Sequence, residues 1–272
     1  MTTLDLEPAA ELLRRGDFGE RLEFFRWAIE QPSMDVLVAV DGDRIVGTGT
    51  GSAHGPVGWV GVIFVDPGAR GRGLGRRITR RVIEALEQRG CRTQVLIASS
   101  MGRPIYEREG FSVLDRQVRF AIDGLADDRA VVEPRIRAFA AADAPAVMAL
   151  DRWATGEDRA AVLVALVTPS STLVAVDADG GVGGFLARTP WRGGALIAPD
   201  PDDAVRLLER RRRSTGVSGK AGAGVLASNT RGREALRAAG WHEELGGVRM
   251  IRGEPLDWHP EAIFGQFNGA LG

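Results

Sequence analysis

In 272 residues there is one cysteine, one tyrosine, one lysine among 35 Lys and Arg, and only three histidines. A single cysteine, Cys91, cannot close an internal disulfide and suits a reducing compartment, so a cytoplasmic location is expected. Three scattered histidines beside one cysteine form no ligand cluster, and no metal site is expected. No apolar run reaches the ~18 residues that cross a bilayer, and the opening residues lack a secretory pattern, so no membrane partner is expected. The formal net charge is −1, which leaves no global field for nucleic acid. The only lysine is Lys220, which excludes a Gly-Lys-Ser/Thr phosphate loop elsewhere.

What is present is a glycine- and arginine-rich turn, VDPGARGRGLG, at residues 65–75. It follows a strand-like run from Val57 to Val65. It opens a helix with apolar residues at Leu74, Ile78, Val82, Ala85 and Leu86. A helix N-terminus presents unpaired N–H groups and the positive end of the dipole, which is a ready anion site. Gly71, Gly73 and Gly75 allow close backbone approach, and Arg70, Arg72, Arg76 and Arg77 add charge suited to a diphosphate. The spacing is G-x-G-x-G, not the G-x-G-x-x-G of the dinucleotide fold.

A second strand, Gln94 to Ala98, leads into SSMGRPIYEREGF at residues 99–111. Here Gly110 reads as the residue after a helix and Phe111 as the start of the next strand. The two signatures together resemble the GCN5-related N-acetyltransferases (GNAT) over roughly residues 30–120: R-x-x-G-x-G after V-x-P, then a helix carrying Tyr106 and Glu107 and ending in Gly-Phe. The resemblance implies that acetyl-CoA is the co-substrate, with its pyrophosphate on Arg70, Gly71, Arg72, Gly73, Leu74, Gly75 and Arg76. It implies backbone pairing of the pantetheine arm with Ile63, Phe64 and Val65. Ser99 stands where the family usually has Asn, and Tyr106 matches the tyrosine that protonates the coenzyme sulfur.

The second half repeats the first. LVAVD occurs at 37–41 and at 173–177, and NTRGREALRAAGW at 229–241 matches 99–111 in length and pattern. The expected fold is therefore α/β: two tandem GNAT-like units, each a mixed twisted β-sheet flanked by helices, over residues 1–131 and 132–272. The linker is expected near 123–134. Helical hairpins are expected from Pro8 to Ile29 and from Ala144 to Val167, each after a first strand. The second unit reads as degenerate. Aligning Ile197-Ala198-Pro199 with Val65-Asp66-Pro67 puts Asp202 and Asp203 where Arg70 and Gly71 stand, and Leu236 takes the place of Tyr106. The tail from Trp258 places Ile263, Phe264 and Phe267 at helical spacing, which predicts a short helix.

Acetyl transfer to an amine requires a polarised carbonyl, a neutral amine and a proton for the leaving thiolate. Tyr106 is the candidate acid; a core aromatic is the alternative. The strand before the loop, VGWVGVIFV, carries no carboxylate to serve as base. His54 is the candidate, directly or through water, with an idle loop histidine as the alternative. Glu20 and Glu23 are weaker candidates. The expected function is acetyl-CoA-dependent acetyl transfer to an amine of a small molecule or peptide, by a monomer or homodimer. A non-catalytic acyl-CoA-binding or regulatory module is the alternative.

Overall fold

A computed structural model of the chain describes residues 1–126, 133–191 and 193–272. The expected boundary at 131/132 and half of the expected linker lie outside the described residues. After a short 3-10 turn, Thr3–Asp5, the first half runs α1 (Leu6–Arg15), α2 (Leu22–Ala28), β1 (Met34–Asp41), β2 (Arg44–His54), β3 (Val57–Val65), α3 (Leu74–Gln88), β4 (Thr93–Ala98), α4 (Arg103–Arg108) and β5 (Ser112–Asp123). The second half repeats this order. It runs β6 (Ile136–Ala138), α5 (Ala144–Thr155), α6 (Ala160–Leu166), β7 (Thr172–Val176), β8 (Val182–Arg188), β9 (Gly194–Ile197), α7 (Pro201–Ser214), β10 (Lys220–Leu226), α8 (Thr230–Ala238) and β11 (His242–Gly253), then β12 (Ile263–Gly265). Both helical hairpins form. The strand expected before the second is β6, whereas the 3-10 turn occupies that place in the first.

The two units do not keep separate sheets. One sheet has the order β1-β2-β3-β4-β11-β5-β10 and the other β12-β9-β8-β7-β6. Strand β11 of the second half inserts between β4 and β5 of the first. Both ladder neighbours of β5, β11 and β10, come from the second half. The cores are shared in the same way. Leu12, Leu13, Phe24 and Phe25 of the first hairpin join Phe185, Phe267 and Leu271 in one apolar cluster. The helix side of the long sheet buries Val82, Leu86, Leu96, Tyr106 and Phe111 around Met250 of β11.

The amphipathic pattern of α3 is the observed one. Ile78, Val82 and Leu86 are buried at helical spacing and face β2 and β3. The tail is a correction. Residues 260–262 form a 3-10 turn and Ile263–Gly265 a strand on β9, not a helix. β9 leaves an open edge there, and pairing satisfies it where a helix would not.

Candidate active site

Parallel pairing of β3 with β4 runs Val57↔Thr93, Gly58↔Gln94 and Trp59↔Val95 and stops. Both strands continue, β3 to Val65 and β4 to Ala98, so a slot opens between their C-terminal halves. At the slot β3 is bulged. Thr48 pairs with Phe64 and Thr50 with Gly61, so Val62 and Ile63 face the single residue Gly49. Val62 takes φ 48°, rare for a β-branched residue, and Thr48 Oγ1 donates to its carbonyl at 2.9 Å. Nothing in the sequence signals this bulge, because the strained position is a valine.

The turn after β3 has the expected shape. Asp66 Oδ1 accepts from the Gly68 amide at 2.8 Å and starts a 3-10 turn, Pro67–Ala69. Gly71 and Gly73 have φ 78° and 73°, and α3 begins at Leu74. A Cβ on Gly71 or Gly73 would meet nothing within 4 Å, so these glycines are needed for backbone conformation, and the concave side is open. Gly75 serves another purpose: its φ is not positive, and a Cβ there would come within 3.2 Å of Ile105. It lets α3 approach α4.

The loop arginines are partly committed within the protein. Arg70 Nε donates to the Val65 carbonyl at 3.2 Å, and its guanidinium lies over the Phe64 ring. Arg72 pairs with Asp41 at 2.7 Å. Arg76 and Arg80 both pair with Glu109. Burial works against the charge of Glu109, but hydrogen bonds from these two arginines hold its carboxyl below the usual range. Arg77 has no polar side-chain partner among the described residues.

Tyr106 is 8 % exposed on α4, its ring edge-on to Phe111 and against Gly102. Burial pushes its hydroxyl up to about 12, so it stays protonated through the neutral range. Ser99 is exposed at the end of β4, and its Oγ accepts from the Gly102 amide at 3.2 Å, starting the turn into α4.

His54 lies in the interior. It is 1 % exposed at the end of β2, with Nε2 3.1 Å from Ser52 Oγ, which itself donates to the Ala270 carbonyl. Burial, with Arg159 nearby, lowers it to about 3. The loop pattern SAHGP gave no sign that the C-terminal tail packs here, with the Ala270 carbonyl on Ser52. Glu20 is exposed and occupied by Arg14 and the Arg21 and Leu22 amides, and Glu23 by Arg26.

On the same face of the sheet as Trp59 lies a buried charge network absent from the sequence reading. Trp59 Nε1 donates to Glu157 Oε2 at 3.0 Å, and Arg249 stands 3.6 Å from Glu157 between the rings of Trp59 and Trp258. Asp151 and Arg159 form a second buried pair. Trp59, Glu157 and Arg249 lie far apart in sequence, and Arg249 reaches the site on the exchanged strand β11.

In the second half the corresponding features are lost. Asp200 Oδ1 accepts from the Asp202 amide at 3.0 Å, as Asp66 does from Gly68, so Asp200-Pro201 matches Asp66-Pro67. This registers two residues later than the sequence alignment. Helix α7 starts at Pro201 itself, so the glycine loop is missing altogether. Asp203 does not face a ligand; it is buried and paired with Arg135 and Arg206. β12 runs along β9, and Phe264 packs with Leu207, Leu208 and Leu236, so chain fills the space that corresponds to the slot.

No helix among the described residues is long and apolar enough to cross a membrane. A model of the acetyltransferase (GNAT) family matches residues 3–111, and one of an acetyltransferase (GNAT) domain matches 147–265. The chain is 25% identical over 190 residues to an uncharacterized N-acetyltransferase, YitH, of Bacillus subtilis, covering 68% of this chain and 66% of that protein. It is 36% identical over 63 residues to glucosamine 6-phosphate N-acetyltransferase of Trypanosoma brucei brucei, covering 23% of this chain and 43% of that one. The chain thus spans two thirds or less of the curated relatives it matches. The structure of a GCN5-related N-acetyltransferase from Sphaerobacter thermophilus superposes with a TM-score of 0.65 at 20% identity, covering 95% of this chain and 96% of that one. Both halves carry the same domain in the same element order, and the chain belongs to the GNAT family as a tandem member of two units.

Proposed function

We propose that the chain transfers the acetyl group of acetyl-CoA to the nitrogen of a small-molecule amine, and that one coenzyme binds per chain, in the first half. The observation that carries this is the slot where β3 and β4 part, with an open glycine turn following β3; Tyr106, on the helix that follows β4, is assigned to its other side in this reading. In this reading the amides of residues 70–76 hold the pyrophosphate, with Arg77 free to add charge. The backbone of Ile63 to Val65 pairs with the pantetheine arm. The amine nitrogen attacks the thioester carbon, the C–S bond breaks, the Tyr106 hydroxyl gives its proton to the departing thiolate, and the nitrogen releases a proton to solvent. Tyr106 is suited to this because it is protonated at neutral pH and none of the described residues hydrogen-bonds its hydroxyl. His54 takes no part. A small-molecule acceptor is favoured by the relative that acts, by its name, on glucosamine 6-phosphate.

Calorimetry with acetyl-CoA tests the coenzyme site. One site per chain with about micromolar affinity is expected, and loss of binding in a folded Gly73→Asp variant. Two sites would mean that the second half still binds coenzyme. Thiol release over a library of amines tests the transfer. Tight binding with no thiol release from any amine would instead favour a non-catalytic acyl-CoA-binding module.

A further inference from the structure

The helical hairpin of the second half carries a groove that the coenzyme site does not use. Helix α5 ends at Thr155, Gly156 turns the chain at φ 69°, and Glu157, Asp158 and Arg159 lead into α6. A hollow of about 570 Å³ lies here, with Met148 and Leu163 on its apolar side, Trp153 at its edge and Glu157 in its lining. A smaller hollow of about 340 Å³ continues past Trp153 to Asp257 and His259. Trp153 is 41% exposed, and its indole stacks on the His259 ring with centroids 4.1 Å apart. An exposed indole held by stacking is a preformed platform for a flat apolar group.

Glu157 supplies the polar end. The residue is 1% exposed. Its Oε2 takes the Trp59 indole N–H, whereas Oε1 has no hydrogen-bond partner. Arg249 neutralises Glu157 in part but stands 3.6 Å away, beyond hydrogen-bond distance. A buried carboxylate oxygen without a donor is costly, and an N–H entering the groove would remove that cost. Around Glu157, Asp158 is paired with Arg152 and Asp151 with Arg159. Burial works against the charge of Glu157, and Arg159, Arg249 and the Trp59 N–H work for it.

We infer that this groove seats a small primary ammonium compound with an aromatic carbon skeleton, its nitrogen on Glu157 Oε1 and its ring on Trp153. Taking that compound as the acetyl acceptor rests on the transferase reading; the binding itself does not. Glu157 links the two places, because it also holds Trp59, three residues before the bulge at Val62.

The test uses the full chain and phenethylamine, without coenzyme. Calorimetry is expected to give binding in the millimolar range or tighter, with no binding of its neutral analogue phenylethyl alcohol. Glu157→Gln keeps an oxygen for Trp59 and removes the charge; it is expected to weaken phenethylamine about tenfold or more. Trp153→Ala, at an exposed edge, is expected to weaken it too, and it covers the case in which the buried variant does not fold. Acetyl-CoA affinity should be unchanged in both. No binding of phenethylamine at about 10 mM, equal binding of the alcohol, or unchanged affinity in the variants would each overturn the site. Phenethylamine binding without acetyl transfer would leave the groove standing and remove only the transferase reading.

Discussion

Tyr106 and His54, the two side chains the sequence offers for proton transfer, are both buried and both neutral near pH 7. The tyrosine stands on a short helix that follows β4, protonated and with no hydrogen-bond partner for its hydroxyl among the described residues. Tyr106→Phe removes one oxygen and leaves no buried partner behind, so stability and coenzyme affinity should not change. The loss should fall on kcat, by about 10²–10⁴-fold if the hydroxyl is the acid. Equal rates in the two proteins would make Tyr106 a core aromatic. His54 answers to acid instead. Its folded-state value of about 3 lies below the ordinary 6.5, so between those limits the unfolded chain binds the extra proton. Its contribution is complete above pH ~6.5 and is lost as pH falls toward 3, amounting to as much as about 4 kcal/mol. Thermal melts across that range should therefore be shallower in pH dependence for His54→Gln than for the unchanged chain. Parallel curves would show that other groups carry the acid sensitivity.

At the scale of elements, what the sequence could reveal was what repeats or punctuates. The loop from Asp66 to Gly73, the amphipathic face of α3, and the paired landmarks Gly110-Phe111 and Gly240-Trp241 were legible, because each depends on local backbone chemistry. Both glycines adopt positive φ and both aromatics are buried. Ser99 and Asn229 make the same contact three residues on, accepting from the Gly102 and Gly232 amides, although only Asn229 caps its helix and Ser99 starts the turn before α4. The bulge of β3 was not legible, because it arises where β2 and β3 fall out of register and not from any residue that favours it. Thr48 helps to hold it through the Val62 carbonyl. Thr48→Val should cost about 1–2 kcal/mol, from the lost hydrogen bond and the unpaired carbonyl. If the bulge shapes the acyl end of the slot, kcat should fall while coenzyme affinity, set by the turn, is kept. A Thr48→Val chain with unchanged stability would show that the β2–β3 ladder alone holds Val62 at its positive φ.

The whole molecule departs most from the sequence reading, and for a physical reason: a repeat in sequence fixes element order but not which copy supplies each strand. Two copies of one fold can exchange a strand without changing any local pattern. Here β11 lies between β4 and β5, and β5 lies between β11 and β10. Cut away from the second half, β5 would keep no ladder partner and β4 would lose one edge, exposing a row of unpaired backbone groups. The core around Tyr106 would also lose Met250, fully buried among Leu96 and Phe111. Removing such a side chain alone costs about 2–5 kcal/mol, a large part of a small domain's stability. A fragment of residues 1–126 should therefore aggregate or remain unfolded when expressed by itself, although it contains the whole coenzyme turn. Co-expressed with residues 133–272 it should be recovered as a one-to-one complex that binds acetyl-CoA, since the exchanged strands need no covalent link. Size-exclusion chromatography and calorimetry on the tagged fragments decide this. A soluble, monomeric first fragment that binds the coenzyme as tightly as the full chain would show that the exchange is dispensable, and the degenerate half would then need another reason to be retained.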